Sequence, residues 1–180
     1  MIGFVGMTHL GLNMATGTAF KGFEVSCFDE NNKLIKDLNS GKININEPGL
    51  KDLIEIEKKK ILFTNSIKNL NRCELIYISP DIETDNEGNS DLSYVENLIK
   101  SVDVQLDKKI PFIILSQVPP GFTSSLNLKR ECYYQVETLI FGQALDRATN
   151  PERIIVGSKK KKYQKNTETF FINLQKILLS

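Results

Sequence analysis

The first thirty residues constrain the fold of this chain most strongly. An apolar strand, Ile2-Gly3-Phe4-Val5, runs into the turn Gly6-Met7-Thr8-His9-Leu10-Gly11, and a helix-like stretch follows. A second strand then extends from Phe23 to Phe28 and ends on Asp29. A glycine at the start of such a turn permits a sharp bend, and a glycine at its end permits close packing of the helix against the strand. The pattern therefore predicts a strand–helix–strand unit with an acidic residue at the tip of its second strand.

Such a unit is typical of proteins that bind a dinucleotide. The N-terminus of the helix offers free N–H groups and partial positive charge to a pyrophosphate. Asp29 is placed to accept hydrogen bonds from a ribose diol, and its charge would repel a 2′-phosphate, so NAD is favoured over NADP. Thr8 stands where the pattern normally has a glycine, so its side chain must point away from the phosphate or crowd it. An ordinary tight turn is the alternative interpretation.

The rest of the sequence alternates strand-like and helix-like segments. Further strands are predicted at 61–64, 74–79, 112–115, 133–136 and 154–156, and helices at about 32–38, 50–56, 91–106 and within 158–180. This alternation predicts one α/β domain with a Rossmann-type doubly wound, mostly parallel sheet and helices on both faces. Ligands of such sheets bind beyond the carboxyl ends of the strands, so the loops 6–11, 79–90 and 116–121 are expected at one edge.

The composition argues against several other classes of protein. The net charge of +1, with 25% charged residues, provides no field that would draw the chain to nucleic acid or to anionic lipid. No apolar run approaches the roughly 20 residues that span a bilayer, and the chain begins directly with a core strand, so a cytoplasmic location is expected. Cys27, Cys73 and Cys132 are widely spaced among apolar residues, which predicts buried, reduced thiols.

Two charged segments are expected to be solvated. The acidic loop from Asp81 to Glu87 lacks the spacing of a calcium-binding loop, so we expect no metal there. The run Lys159-Lys160-Lys161-Lys162 is interpreted as the entrance to the C-terminal helix, with a phosphate-binding patch as the alternative.

Further motifs give the chain a resemblance to a known family. They are Glu47-Pro48-Gly49-Leu50, Asp91-Leu92-Ser93, Ser116-Gln117-Val118-Pro119-Pro120-Gly121, Glu137-Thr138-Leu139, Gly142-Gln143-Ala144 and Pro151-Glu152-Arg153-Ile154-Ile155-Val156-Gly157. In order and spacing they resemble the N-terminal NAD-binding domain of the UDP-glucose/GDP-mannose dehydrogenases, over residues 1–157. Several motifs in register are far more specific than any one of them.

The resemblance implies an oxidoreductase. Members of the family oxidise the C6 hydroxyl of a nucleotide sugar to the uronic acid with two NAD, and use a cysteine nucleophile that lies beyond the first domain. By resemblance, the cofactor-binding residues are Gly6, Thr8, His9, Leu10, Gly11, Asp29 and Gln117. Glu137 matches the acid that serves as a base or positions water in thioester hydrolysis, with Thr138 and Leu139 beside it at the sugar site. A strand-end acid in a polar network is the alternative for Glu137.

Four departures from the family pattern bear on the cofactor. Thr8 replaces a glycine, Leu34 a basic residue, and Ile82 and Gln117 two threonines. Lys33 adjoins Leu34 and can make the contact with the ribose that the family's basic residue makes. Gln117 can hydrogen-bond a nicotinamide amide, or it can serve the structure of its loop. For His9, in the first turn of a helix, a positional role is favoured over an acid–base role.

The resemblance extends only to the first domain of the family. The central and C-terminal domains, with the nucleophilic cysteine, are expected to be absent from these 180 residues. The chain alone is then expected to bind NAD weakly, to turn over nothing and to be a monomer or weak homodimer, while the complete enzyme takes a nucleotide sugar such as UDP-glucose. Two alternatives are a non-catalytic module that acts through protein contacts and a different Rossmann dehydrogenase, such as one acting on a hydroxy acid.

Overall fold

A computed structural model of the protein describes residues 1–83, 85, 87, 90–159 and 164–175. The strands in these residues are β1 (Ile2–Val5), β2 (Val25–Phe28), β3 (Ile61–Thr64), β4 (Leu75–Ile78), β5 (Phe112–Ile114), β6 (Cys132–Gln135) and β7 (Val156–Ser158). The α-helices are α1 (His9–Phe20), α2 (Asn32–Asn39), α3 (Leu50–Glu57), α4 (Ser93–Gln105), α5 (Phe122–Ser125), α6 (Ala144–Thr149) and α7 (Lys165–Gln175), and a 3-10 helix spans Ile67–Arg72.

The described strands form one sheet in the order β3-β2-β1-β4-β5-β6-β7. Neighbouring strands are parallel except for β6 and β7, which pair antiparallel. The chain starts at the centre of the sheet, winds outward to β3, returns to β4 and then winds to the other side. The predicted doubly wound, mostly parallel fold is therefore confirmed, and its switch point lies between β1 and β4.

Both faces of the sheet are buried. Phe4 belongs to one apolar cluster and Val5 to the other, because successive side chains of a strand point to opposite faces. Helices α1, α2, α3 and α7 contribute to the cluster around Phe4, and α4 and α5 to the cluster around Val5. This two-sided cover explains why β1, β2 and β4 are buried along their whole length.

The turn between β1 and α1 requires glycine at both of its ends. Gly6 has φ +92°, and a Cβ atom there would lie 2.8 Å from the backbone nitrogen of Pro80. A Cβ atom at Gly11 would lie 1.9 Å from the carbonyl oxygen of Gly6. The bend and the close packing predicted from the sequence are thus both present, and they bring α1 against the loop that follows β4.

Several boundaries differ from the predictions. β7 begins at Val156 rather than at 154, because the pairing with β6 brings Val156 opposite Gln135. Helix α4 begins at Ser93 rather than at 91, and the Asp91 carboxylate accepts a hydrogen bond from the Ser93 N–H at 2.9 Å. Helix α3 ends at Glu57, one residue beyond the predicted 50–56.

Other predictions concern the C-terminal part of the chain and the thiols. A helix within 158–180 is confirmed for Lys165–Gln175, whereas 160–163 and 176–180 lie outside the described residues. The three thiols are unpaired, and Cys27 and Cys73 are buried as predicted, while Cys132 is only partly so. Burial raises the pKa of Cys132 to about 12. Across the described residues, no helix has both the length and the apolar character needed to cross a membrane.

Candidate functional site

The carboxyl ends of the central strands bring the predicted site residues to one edge of the sheet. A cleft of about 210 Å³ opens there, and it is lined by His9, Leu10, Asp81, Ile82, Gln117, Glu137, Leu139 and Phe141. The loops that contain residues 6–11, 79–83 and 116–121 therefore meet, as expected for a doubly wound sheet. A larger cavity of about 490 Å³ borders Arg130 and Cys132 near the start of β6, where none of the predicted site residues lies.

Asp29, at the end of β2, faces the glycine turn. Its Oδ2 accepts a hydrogen bond from the Met7 N–H at 2.8 Å, and its Oδ1 accepts one from the Asn31 N–H at 2.9 Å. These two bonds fix the orientation of a side chain that is only 7% exposed. Each carboxylate oxygen keeps a further acceptor position, so the group can still receive the hydroxyls of a ribose.

The segment that follows Asp29 begins helix α2. The Asn31 side chain caps this helix by accepting a hydrogen bond from the Leu34 N–H at 3.0 Å. The Leu34 side chain packs against the apolar cluster around Phe4, so it acts as a core residue rather than as a polar contact. Lys33 is exposed beside it.

The hydroxyl of Thr8 is directed to the loop after β4. It accepts a hydrogen bond from the Asp81 N–H at 2.8 Å and donates one to the Ser79 carbonyl at 3.3 Å. Thr8 has φ −78° and ψ −171°, an extended conformation that needs no glycine. The Thr8 side chain makes no capping hydrogen bond to α1, and its hydroxyl is engaged by the loop after β4 instead.

The N-terminus of α1 is capped by a carboxylate from another part of the chain. Oδ2 of Asp81 accepts a hydrogen bond from the His9 N–H at 3.0 Å. A negative charge is favourable at this end of a helix, where the first N–H groups have no intrahelical partner. Asp81 is exposed, as expected for this loop, and its carboxylate in addition contacts a residue 72 positions away in the sequence.

His9 joins the glycine turn to two other loops. Its Nε2 lies 2.8 Å from Oε2 of Glu47, and its ring packs on that of Phe141 with 4.3 Å between centroids. Glu47 also accepts hydrogen bonds from the N–H groups of Gly142 at 3.0 Å and Ala144 at 2.8 Å. The sequence singled out Glu47 only as part of a motif, whereas the structure shows that it connects three segments.

The charge of Glu47 is maintained by these contacts. Its side chain is 1% exposed, and burial by itself would raise the pKa of the carboxyl group. The hydrogen bonds from His9, Gly142 and Ala144 favour the charged form, and the net effect is a lowered pKa.

Glu137 and Gln117 form a pair in the cleft. Nε2 of Gln117 donates to Oε2 of Glu137 at 2.7 Å, and the Leu139 N–H donates to the other carboxylate oxygen. The two residues that the sequence assigned to the catalytic and cofactor positions are therefore in direct contact. Leu139 lines the cleft, while the Thr138 carbonyl accepts a hydrogen bond from Arg147 at 3.4 Å.

Comparison with known proteins gives one family match and several relatives. The sequence profile of the UDP-glucose/GDP-mannose dehydrogenase family, NAD binding domain, matches residues 1–175. The UDP-glucose 6-dehydrogenase TuaD of Bacillus subtilis is 30% identical over 174 residues, which cover 89% of this chain and 38% of the relative.

Solved structures of nucleotide-sugar dehydrogenases have the same fold as this chain. The UDP-D-ManNAc dehydrogenase from Pyrococcus horikoshii matches with a TM-score of 0.84 and 22% identity, over 97% of this chain and 45% of that one. A ternary complex of GDP-mannose dehydrogenase from Pseudomonas aeruginosa matches with a TM-score of 0.82 and 19% identity, over 96% of this chain and 43% of that one. This chain spans less than half the length of each of these proteins.

Proposed function

The chain belongs to the UDP-glucose/GDP-mannose dehydrogenase family, as an NAD-binding domain, and we propose that it serves a nucleotide-sugar dehydrogenase. The family predicted from the sequence motifs is thus confirmed, and a hydroxy-acid dehydrogenase of the same fold is disfavoured. In the complete enzyme the proposed reaction is oxidation of the C6 alcohol of a nucleotide sugar to the uronic acid. NAD accepts the hydride in each of the two oxidation steps.

The observation that carries this proposal is the orientation of Asp29. Its carboxylate lies beside the glycine turn and retains acceptor positions, which suits the diol of an adenosine ribose. A 2′-phosphate at the same position would bring a second negative charge against this buried carboxylate. We therefore assign Asp29 to the ribose and expect NAD to bind in preference to NADP.

The cleft residues have separate proposed roles. Glu137 is held by Gln117 and by the Leu139 N–H, so its carboxylate is positioned to take a proton or to orient a water molecule on the sugar side. Leu10, Ile82 and Phe141 give the cleft apolar walls that exclude other water. Among the described residues that line the cleft there is no cysteine, so an attacking thiol must come from elsewhere.

Titration calorimetry of the 180-residue chain with NAD, NADP and ADP-ribose tests the proposal. The wild type should bind NAD weakly and NADP more weakly. Asp29→Asn and Asp29→Ala should each reduce the affinity for NAD at least about tenfold, because a charged hydrogen-bond acceptor is lost. Glu30→Gln is the matched control, since it removes the same charge from the neighbouring exposed residue and should leave NAD binding unchanged.

A second candidate function is a module that has lost its cofactor and acts through protein contacts. Two observations favour it: Asp81 occupies a donor at the helix N-terminus, and Phe141, which lines the cleft, is 79% exposed, with Ile140 beside it 50% exposed. The same titration separates the two functions. Absence of heat from every nucleotide would support the module and contradict the dehydrogenase proposal.

A further inference from the structure

We infer that Asp81 sets the affinity of this domain for a dinucleotide, because its carboxylate is bound to the N–H group that a diphosphate would seek. This inference rests on the proposed function, since it concerns the same site. A helix N-terminus beside a glycine turn offers only a few free N–H groups. In this chain the His9 N–H at the start of α1 already has an anionic partner, supplied by the chain itself.

Thr8 holds the Asp81 backbone in place. Its hydroxyl accepts the Asp81 N–H at 2.8 Å while it donates to the carbonyl of Ser79 at 3.3 Å. The hydroxyl therefore contacts the loop on both sides of Pro80. The replacement of the middle glycine by threonine thus has a specific consequence, which is to keep the Asp81 carboxylate at the helix N-terminus.

The loop itself is anchored to the sheet. The Ser79 N–H donates to the Val5 carbonyl at 2.9 Å, and the Ser116 hydroxyl donates to the Pro80 carbonyl at 2.5 Å. Pro80 also packs on Gly6 so closely that a Cβ atom on Gly6 would overlap it. Because the backbone is fixed at these points, the diphosphate can reach the His9 N–H only if the Asp81 side chain rotates into solvent.

Rotation of Asp81 has an energetic cost that binding must overcome. A charge-assisted hydrogen bond at a helix N-terminus is lost, and the displaced carboxylate stays close to the negative charges of the diphosphate. Removal of this competition should tighten binding about five- to tenfold. The same removal should lower the melting temperature of the free chain by about 2–4 °C, because the helix loses its cap.

The experiment measures the affinity for ADP-ribose, which carries the diphosphate without the nicotinamide, and for NAD. Asp81→Ala removes the carboxylate and the cap, whereas Asp81→Asn removes the charge and keeps an acceptor. Both should bind the two ligands more tightly than the wild type, and Asp81→Ala should also melt earlier. Glu83→Gln is the control, because it removes one charge from an exposed residue of the same loop. It should bind like the wild type.

Variants of Thr8 test the linkage between the two residues. Thr8→Ala removes the hydroxyl and should gain part of the affinity that Asp81→Ala gains. The double variant should gain no more than Asp81→Ala alone, because Thr8 acts through Asp81.

Three results would overturn the inference. Equal affinity of the wild type and both Asp81 variants would show that the carboxylate does not compete. An equal gain in Glu83→Gln would assign the effect to the net charge of the loop. No binding by any variant would overturn the proposed function as well, whereas the first two results leave that function intact.

Discussion

Among single residues, Glu47 connects three separate segments of the chain around the cleft. It accepts hydrogen bonds from the backbone N–H groups of Gly142 and Ala144 and contacts His9, yet its side chain is almost completely buried. A carboxylate in this position connects the glycine turn, the loop before α3 and the start of α6. It therefore stabilises the geometry of the cleft without itself lining it.

Glu47→Ala should lower the free energy of unfolding by about 2–4 kcal/mol, because it leaves the buried N–H of Ala144, the partly buried N–H of Gly142 and the His9 ring without their acceptor. Urea denaturation followed by circular dichroism measures this change. Glu55→Ala is the control: that side chain is 68% exposed and pairs only with Lys58 on the surface, so about 0.5 kcal/mol or less is expected. Equal effects of the two substitutions would contradict the assigned role of Glu47.

The lowered pKa of Glu47 also predicts a dependence of stability on pH. Because the pKa is lower in the folded than in the unfolded chain, the charged group stabilises the fold above its ordinary pKa of 4.5. This contribution is lost as the pH falls through the lowered value. The difference in free energy of unfolding between the wild type and Glu47→Gln should therefore shrink in acid. A difference that stays constant from neutral to acidic pH would be evidence against this explanation.

The sequence identified residues whose function depends on local pattern and missed those that depend on distant pairing. Gly6, Gly11 and Asp29 follow from a strand, a turn and a second strand, and their geometry agrees with that pattern. The contact between Asp81 and His9 exists only because β1 and β4 pair in the sheet, so no local sequence motif predicts it. Glu47 was missed for the same reason, since its donors lie 95 and 97 residues away.

Among the elements, the C-terminal end of helix α4 is bound by one buried guanidinium group from the segment before β6. Arg130, just before β6, donates from Nε to Asp103 at 2.5 Å and lies 4.0 Å above the ring of Phe112. It also donates to backbone carbonyls at the end of the helix and in the following loop, those of Asp103, Leu106, Asp107 and Ile110. The carbonyls that a helix end leaves without partners are thus satisfied from the neighbouring strand.

Arg130→Lys should destabilise the protein by about 2–3 kcal/mol, because an ammonium group cannot donate to the Asp103 carboxylate and all four backbone carbonyls at once. Thermal or urea unfolding measures the loss. Lys129→Ala changes the exposed neighbour and should stay within about 0.5 kcal/mol of the wild type. If Arg130→Lys has the stability of the wild type, a positive charge at this position is sufficient and the guanidinium hydrogen bonds do not contribute.

Elements with a clear apolar pattern could be predicted, and short helices could not. Helix α4 has enough apolar positions to define a helical period, and β1 and β4 are continuous apolar runs of the kind found in buried parallel strands. The 3-10 helix, α5 and α6 contain 4 to 6 residues each, which is too few for a helical repeat to appear. The start of β7 was misplaced because its position is determined by pairing with β6 rather than by its own residues.

For the whole molecule, the arrangement of thiols predicts how the chain behaves alone. With NAD and UDP-glucose present, the 180-residue chain should bind NAD but form no NADH. The chain spans less than half the length of its relatives, so we expect residues outside it to help hold the sugar for the first oxidation. The second oxidation lacks its nucleophile, because Cys27 and Cys73 are buried in the core and Cys132 begins β6 beside other cavities. Absorbance of NADH in a long incubation measures turnover, and calorimetry of the same preparation confirms that it can bind. Steady NADH formation would contradict the proposed need for further residues.

The doubly wound order of the sheet followed from the alternation of elements, since right-handed crossovers leave few other topologies. The meeting of three loops at one edge followed as well. What did not follow was the contact between Asp81 and the His9 N–H within that edge, because it depends on atomic distances that the order of the elements does not determine.

The hydrogen bond between Asp29 and the Met7 N–H has a kinetic consequence. It orients the carboxylate that we assign to the ribose before any ligand arrives, whereas the His9 N–H that we propose for the diphosphate is already bound by Asp81. Capture should then proceed in sequence, with the nucleoside docking first and the phosphates following. Adenosine alone should therefore associate at a rate that does not depend on Asp81.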